Sequence, residues 1–292
     1  MTTTSSPSRD AYERRIRICR TADLGSFVPW CAANARAGAV HRDHVRLLRE
    51  APGFVDDGTS FVLRGSDFAE RSRAMADTVD WLHRRGEIRA PLGEVYPIAA
   101  GRDPTPLLVV DRVAVPWFGV RACGVHANGV VGAGANARLW IAERSRTKRT
   151  FPGHLDNVVA GGRPHGLSAR ETLVKECAEE ASIPPALAAR ARFVGSVDYV
   201  QQDGRALKVD SLACFDLELP PAFVPAPADD EVESFRCWSF DEVATSLAGD
   251  ALWKPNCALV ALHFLLRRGA LDRQLAAADR WRLWQLLHGE LP

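Results

Sequence analysis

The chain has 292 residues, 47% hydrophobic and 25% charged, which is the composition of folded domains with a sizeable core rather than of a disordered segment. Lys and Arg number 37 against 36 Asp and Glu, a formal charge of +1, so no global charge argument supports nucleic-acid or membrane-surface binding. No apolar run approaches the ~20 residues a membrane helix needs, and at roughly 150 residues per domain the length suits two domains.

Residues 1–9 read as a polar tail. They carry no apolar segment of a secretory signal, and Asp10 and Glu13 weigh against a transit peptide, so the expected location is cytoplasmic. Spaced charges with Ile16 and Ile18 predict a short helix over 10–20. Ser66–Arg85 predicts a longer one, with Ser66 as cap, Phe68, Met75, Val79 and Leu82 at helical spacing, and Gly86 as stop. Pro91, Gly93, Pro97, Gly101, Pro104 and Pro106 then read as a linker, although Leu107–Val113 allows a strand. The division expected is a mostly helical α+β accessory domain over 10–112 and a second domain over 113–292.

The second part has a different texture. Val120–Val131 and Leu139–Ala142 are β-prone runs around Gly132–Asn136, a hairpin turn. Asp156–Ala160 is a short apolar run that leads into Gly161 and Gly162. Ser168–Ser182 has a helical period. Phe193–Gln201 and Val209–Leu219 predict two strands around Gln202-Asp-Gly204, and Ser234–Phe240 another. Phe240–Ala248, Asn256–Arg268 and much of Asp272–His288 predict helices, the second an apolar docking helix ending in Arg267 and Arg268. The class is α/β or α+β. Seven scattered cysteines, odd in number and without a C-x-x-C pair, argue against both a disulfide framework and a structural zinc site. They read as small buried hydrophobes of a reducing compartment; a nucleophilic Cys177 is the alternative.

The segment that carries chemistry starts at Ser168. With Glu171 it makes the S-x-x-E capping box, and Pro184-Pro185 prevents continuation past Ile183. At 100° per residue Glu176, Glu179 and Glu180 fall on one arc, beside an apolar stripe of Leu173, Val174, Cys177 and Ala181. Like charges at this spacing repel. Two readings remain open: a solvated acidic face helped by Arg170 and Lys175, or a site for a hard divalent cation, Mg²⁺ or Mn²⁺.

The segment resembles the Nudix box, G-x5-E-x7-R-E-U-x-E-E-x-G-U with U apolar. Gly161 matches the first Gly, Glu176 the Glu after the Arg, Glu179 and Glu180 the pair, and Ile183 the last apolar position. Leu167 stands for the first Glu, Lys175 for the Arg and Ser182 for the second Gly. Trp140–Ser145, Lys148, Pro152–Asn157, Val159–Gly162, Phe215–Pro220, Asp230–Glu233 and Lys254–Asn256 extend the likeness over about Phe27 to His288. They resemble the Nudix subgroup related to thiamine pyrophosphokinase proteins, which carries an extra N-terminal domain. Asp229-Asp230-Glu231 departs from the expected Asp-Gly-Glu.

The resemblance implies a mixed β-sheet sandwiched between helices and a pyrophosphohydrolase. Its implied substrates are thiamine diphosphate or its oxidised or damaged analogues, converted to the monophosphate plus phosphate. Glu176, Glu179 and Glu180 would bind Mg²⁺ (Mn²⁺ as substitute), and Glu231 or Glu233, facing one side of an extended segment, would complete the site or act as base. Arg144, Lys148, Asn157, Gly161, Gly162 and Lys254 are the candidates for holding the substrate. Trp253 is the first aromatic candidate for ring stacking, ahead of Trp140, Tyr199 and Trp238. His126, His154 and His165 read as polar loop residues or an acid–base group. Other Nudix substrates (ADP-ribose or a nucleoside diphosphate derivative), a non-catalytic binding module, and an isomerase using Cys123 are the competing readings. The partner expected is a small-molecule diphosphate, without nucleic acid or membrane; a homodimer is compatible.

Overall fold

In the computed structural model, which describes residues 8–101 and 105–289, the elements in chain order are α1 (Arg9–Ile18), β1 (Phe27–Ala32), β2 (Ala35–His41), α2 (Val45–Glu50), β3 (Phe54–Asp56), β4 (Phe61–Leu63), α3 (Phe68–Arg84), β5 (Val95–Ala99), β6 (Pro106–Asp111), α4 (Val115–Phe118), β7 (Arg121–Val131), β8 (Arg138–Arg144), β9 (Leu155–Asn157), β10 (Val159–Gly162), α5 (Ala169–Ala181), α6 (Pro185–Ala188), β11 (Arg192–Asp203), β12 (Ala206–Leu219), β13 (Val232–Ser239), α7 (Phe240–Ala248), α8 (Pro255–Arg267) and α9 (Ala277–His288). The expected tail and Pro104 lie partly or wholly outside the described residues.

The second part is built on a mixed sheet in the order β11-β12-β7-β8-β13, with β10 added to β7 and β9 to β8. β12 runs parallel to β7, whereas β11–β12, β7–β8 and β8–β13 are antiparallel. Side chains alternate along a strand, and β12 shows the consequence. Leu212 and Cys214 pack with α8, while Phe215 and Leu217 pack with α5. Residues 257–265 of α8 are all buried, as expected of a helix that is apolar all round. It lies under α1, α7 and α9 on that face. The sheet is therefore sandwiched between helices, and the 132–136 turn, the 202–204 turn and the helix after Ser168 stand where the sequence predicts them.

The N-terminal domain is smaller and α+β, but richer in strand than its helices announce. β2-β1-β4-β3 form one sheet and β5-β6 a ribbon. Trp30, Phe54, Met75, Val79 and Leu82 share its core. β3 and β4 are only three residues long, and β2 buries four consecutive residues; none of them displays a period that a sequence pattern can register. The Pro-rich stretch read as a linker contains β5. Asp67, not Ser66, caps α3, and Ser66 instead gives its backbone N–H and hydroxyl to Glu70.

Two seams differ from the sequence division. Tyr12, Ile16 and Cys19 belong to the core around α8, so α1 packs with the C-terminal helices. Conversely Val115, Trp117, Phe118, Val120 and Ala122 complete the N-terminal core. Both exchanges depend on contacts between residues far apart in the chain, such as Tyr12 with Ala244 and Trp30 with Phe118, which no local pattern encodes.

Candidate active site

Helix α5 starts with both halves of the capping box: Ser168 Oγ accepts from Glu171 N and Glu171 Oε2 accepts from Ser168 N. Such a cap contributes about 1 kcal/mol. Leu173, Cys177 and Ala181 face the sheet, and this fixes where the acidic edge points. Glu180 is buried and its Oε2 accepts a 2.9 Å hydrogen bond from Ala160 N on β10. Glu176 lies over Gly161: a Cβ there would meet its Cδ at 2.3 Å, so only glycine allows the approach. Glu179 is exposed and takes a 2.5 Å bond from Lys175, which also reaches Glu176 at 3.5 Å. Lys175 thus does the bridging expected of the motif's Arg, as a single point of charge rather than a planar fork.

Burial, joined by the neighbouring charges of Glu179 and Glu231, lifts the Glu176 carboxyl above its usual range. Burial and the nearby Asp156 lift Glu180 well above it. Asp229 is raised in the same way, with Glu231 and Glu179 contributing. Glu231 goes the other way. Burial opposes ionisation there, but Lys148 at 2.8 Å, with Arg144 and Arg112, outweighs it. Hard oxygen donors carrying negative charge that protein cations leave largely unbalanced are what Mg²⁺ or Mn²⁺ fits; Glu176, Glu179 and Glu180 would hold it, with Asp229 or Glu231 beside them.

Beneath these acids lies a second, different cluster. Asp156 Oδ2 accepts from Arg144 at 2.9 Å and Lys254 at 3.3 Å, and its Oδ1 from Cys257 Sγ at 2.6 Å and Asn157 N at 2.8 Å. Burial disfavours its ionised form, yet Lys254 and Arg144 prevail and hold its carboxyl below the usual range. His126 donates from Nδ1 to Asn157 Oδ1 at 2.7 Å, and burial with Lys254 pushes it down to about 4. Ligand atoms of His126, Asp156 and Cys257 lie within 4.8 Å of one another. Two cations already satisfy Asp156, however, and the Cys257 thiol stays protonated because burial and Asp156 raise it well above its usual value. The cluster fits a hydrogen-bonded floor rather than a second metal centre.

The family profile described as NUDIX domain matches residues 125–257, and one described as a domain of unknown function, DUF4743, matches residues 11–122. Nudix hydrolase 20, chloroplastic, of Arabidopsis thaliana is 39% identical over 271 residues, which cover 88% of this chain and 72% of the relative. The chain belongs to the Nudix hydrolase family. A further relative, Nudix hydrolase 24, chloroplastic, of the same plant, is 37% identical over 257 residues, 85% of this chain and 69% of the relative. The crystal structure of DR0079 from Deinococcus radiodurans aligns at 24% identity with a TM-score of 0.45, over 57% of this chain and 97% of that one. As a Nudix hydrolase the chain is an enzyme acting on a diphosphate linkage.

Of the residues singled out in this Nudix hydrolase, Glu176, Glu179, Glu180, Gly161, Glu231 and Lys148 gather around α5, and Lys254 lies with Asp156 in the floor beneath. Others do not. Glu233 is exposed on a bulge, where the β8–β13 register slips between Val232 and Ser234, so it does not share the side of Glu231. Arg144 is buried and held by Asp156, and Asn157 is buried by His126, below the site rather than at its entrance. Trp253 is a core residue whose ring N–H donates to Ser246 Oγ at 3.2 Å. Tyr199 is buried with its hydroxyl on Asp210, and Trp140 and Trp238 border the two cores. His154 bonds its own loop and His165 stacks on Phe68, with ring centroids 5.5 Å apart.

Two participants were not predicted. Asp229 was noted only as part of a departure from the motif. Tyr96 comes from β5, inside the supposed linker, and its hydroxyl lies over Gly162, where a Cβ would meet it at 1.8 Å. Burial raises that hydroxyl to about 12, and Glu176 adds to the shift. The His165 N–H also donates to Val95 O at 2.8 Å. The N-terminal domain therefore touches the glycine loop of the acidic helix. No local signal marks Tyr96, because only the docking of β5 brings it there.

Proposed function

We propose that this Nudix hydrolase is a Mg²⁺-dependent pyrophosphohydrolase that converts thiamine diphosphate, or its oxidised or damaged analogues, to the monophosphate plus phosphate. The observation that carries the reading is the pair Glu176 and Glu180, half-buried and buried, raised by desolvation and aligned on one edge of a helix. The ordered motifs from Trp140 to Asn256, with an N-terminal domain ahead of them, support the thiamine-related substrate. When bound, Mg²⁺ neutralises charge on the diphosphate oxygens and lowers the pKa of a coordinated water.

The chain's own residues supply the rest. Glu231, held ionised by Lys148, is the candidate base outside the helix. Lys148 offers positive charge to the phosphates, while Lys254 stays in the floor, fixed by its ion pair with Asp156 and by its backbone N–H on Leu155 O. Gly161 keeps Glu176 close to β10. The seven free thiols support a reducing compartment such as the cytoplasm.

A second reading, hydrolysis of ADP-ribose or a nucleoside diphosphate derivative, is favoured by Arg89, Arg149 and Arg205, which line a cleft that also takes in Glu231 and suit a further anionic group. Phosphate release from a panel of diphosphates in Mg²⁺ separates the two. A higher kcat/KM for thiamine-type diphosphates than for ADP-ribose is expected, and the reverse order overturns the substrate assignment. Binding of these ligands without any Mg²⁺-dependent release would overturn the enzymatic reading.

A further inference from the structure

The chain has three tyrosines, and two of them use their hydroxyl protons within the fold. Tyr12 donates to Gln274 Oε1 at 3.1 Å, and Tyr199 donates to the Asp210 carboxylate. The Tyr96 hydroxyl has no hydrogen-bond partner among the described residues, although the residue is only 6% exposed. A donor left unpaired at such depth is rare and points to a group that completes it. The core does not call for the oxygen: the ring packs with Ile98, Leu108 and Val110, and a phenyl ring would fill the same space. Burial raises the hydroxyl to about 12, so at neutral pH it keeps its proton and can donate it.

The geometry of β10 shows what the hydroxyl faces. Arg163 N donates to Cys123 O, so alternation along the antiparallel β10–β7 pair turns the N–H groups of Ala160 and Gly162 away from β7, towards the outer edge of β10. The 2.9 Å bond from Ala160 N to Glu180 lies on that edge. Cβ positions of neighbouring residues point to opposite faces of a strand. Glu176 crowds the one at Gly161, and the Tyr96 hydroxyl crowds the one at Gly162. Glu176 and Tyr96 therefore close on the glycine strand from its two faces, with the outward N–H of Gly162 at the edge between them. The charge of Glu176 acts on the hydroxyl, and that of Arg112, which is paired with Glu94 at 2.8 Å, acts on both Tyr96 and Glu231. The bond from His165 N to Val95 O at 2.8 Å ties β5 to the glycine loop, so the hydroxyl is held in place from both domains.

We propose that Tyr96 is a substrate-binding residue supplied by the N-terminal domain, its hydroxyl donating a hydrogen bond to a non-bridging oxygen of a diphosphate bound at the acidic helix. The inference rests on the diphosphatase reading. The raised carboxyls of α5 suit the metal and repel the phosphates; a neutral donor on the opposite face of the glycine strand meets the phosphates without competing for the metal. Because the ring is already fixed in the N-terminal core, no side chain has to be ordered when the ligand arrives. The N-terminal domain then completes the active site rather than merely covering it.

The experiment compares the full chain with its Tyr96→Phe variant, which keeps the ring and removes only the oxygen. The probe is methylenebisphosphonate, a diphosphate analogue that resists hydrolysis and lacks an organic half. Its affinity in Mg²⁺, measured by calorimetry, should fall about tenfold or more in the variant, as should kcat/KM for diphosphate hydrolysis. Mn²⁺ affinity without the analogue, followed by electron paramagnetic resonance, should be unchanged, and the Tm should be kept or raised. Incorporation of 3-fluorotyrosine gives one fluorine resonance for each of the three tyrosines, and Tyr96→Phe identifies its own by deletion. That resonance should shift when the analogue is added with Mg²⁺, while those of Tyr12 and Tyr199 stay in place.

Equal affinity of the two proteins for the analogue, or a Tyr96 resonance that does not respond to it, overturns the inference. So does a loss of Mn²⁺ affinity in the variant, which would make Tyr96 a support for Glu176 instead of a phosphate donor. Absence of phosphate release from every diphosphate tried with the unaltered chain, with the Tyr96 effect on the analogue intact, overturns the enzymatic reading instead.

Discussion

Two groups of buried or half-buried carboxylates lie one above the other in this protein and behave oppositely. Asp156 is surrounded by Arg144, Lys254 and donor groups, and its carboxyl is held below the usual range. Glu176 and Glu180, on the helix above, lack equivalent partners, and burial drives theirs up. Burial penalises the charged form in both places; the difference is whether the chain itself supplies the countercharge. A carboxylate with its cations built in is part of the fold, whereas carboxylates without them are disposed to take a cation from solution.

The largest test of that contrast is catalytic. Glu176→Gln should lower kcat/KM for diphosphate hydrolysis by on the order of 10³-fold, while the metal-free protein keeps or raises its Tm because a buried repulsion has been removed. A variant that keeps most of its activity, or that unfolds, breaks the comparison on the upper side.

Asp156→Asn should do the reverse. It leaves Arg144 and Lys254 without a counter-ion, and urea unfolding should show a loss of about 3–5 kcal/mol, the usual cost of breaking a buried pair. A loss below about 1 kcal/mol would mean that the floor is not a structural ion pair.

The third test is pH dependence. Glu176 and Glu180 have folded values above the ordinary 4.5. Their contribution to stability is therefore full below that value and is lost as pH rises through the raised ones. Mg²⁺ binds the ionised forms, so the Tm gain on adding it should grow from about pH 5 to about pH 8. Asp156, with its lowered value, contributes above 3.8 and loses its contribution only as pH falls through the folded value. A Mg²⁺ effect that is flat across this range would detach the raised carboxyls from metal binding.

The smallest effect concerns Ser182, which takes the place of the motif's second Gly and adopts the left-handed conformation at φ 52°, its hydroxyl donating to Ala226 O at 2.9 Å. Ser182→Gly removes roughly 1 kcal/mol of backbone strain at the loss of an exposed hydrogen bond. A Tm rise of about 1–3 °C is expected, and a fall would show that the hydroxyl outweighs the strain.

Residues 120–268 were largely legible from sequence because their signals are local. A capping box, a proline stop, two turns and helical spacing each act within a few residues, and they locate α5 and its glutamates correctly. The candidate site was legible only in part. Glu233 lies on a bulge, Asn157 and Arg144 lie beneath the site, and Trp253 lies in the core. Each is a matter of which way a side chain turns once strands have paired. Short strands such as β3 and β4 left no pattern to read.

By itself the sequence determined the acidic helix and the family to which it belongs, since these reside in contiguous residues whose spacing is their geometry. Tertiary structure alone decided that α1 joins the C-terminal helices, that Asp156 acquires its cations, and that Tyr96 comes from the N-terminal domain to the edge of the site. Those outcomes depend on burial and on charges brought together from distant parts of the chain, and a pairwise interaction over such separations has no signature in the order of the residues.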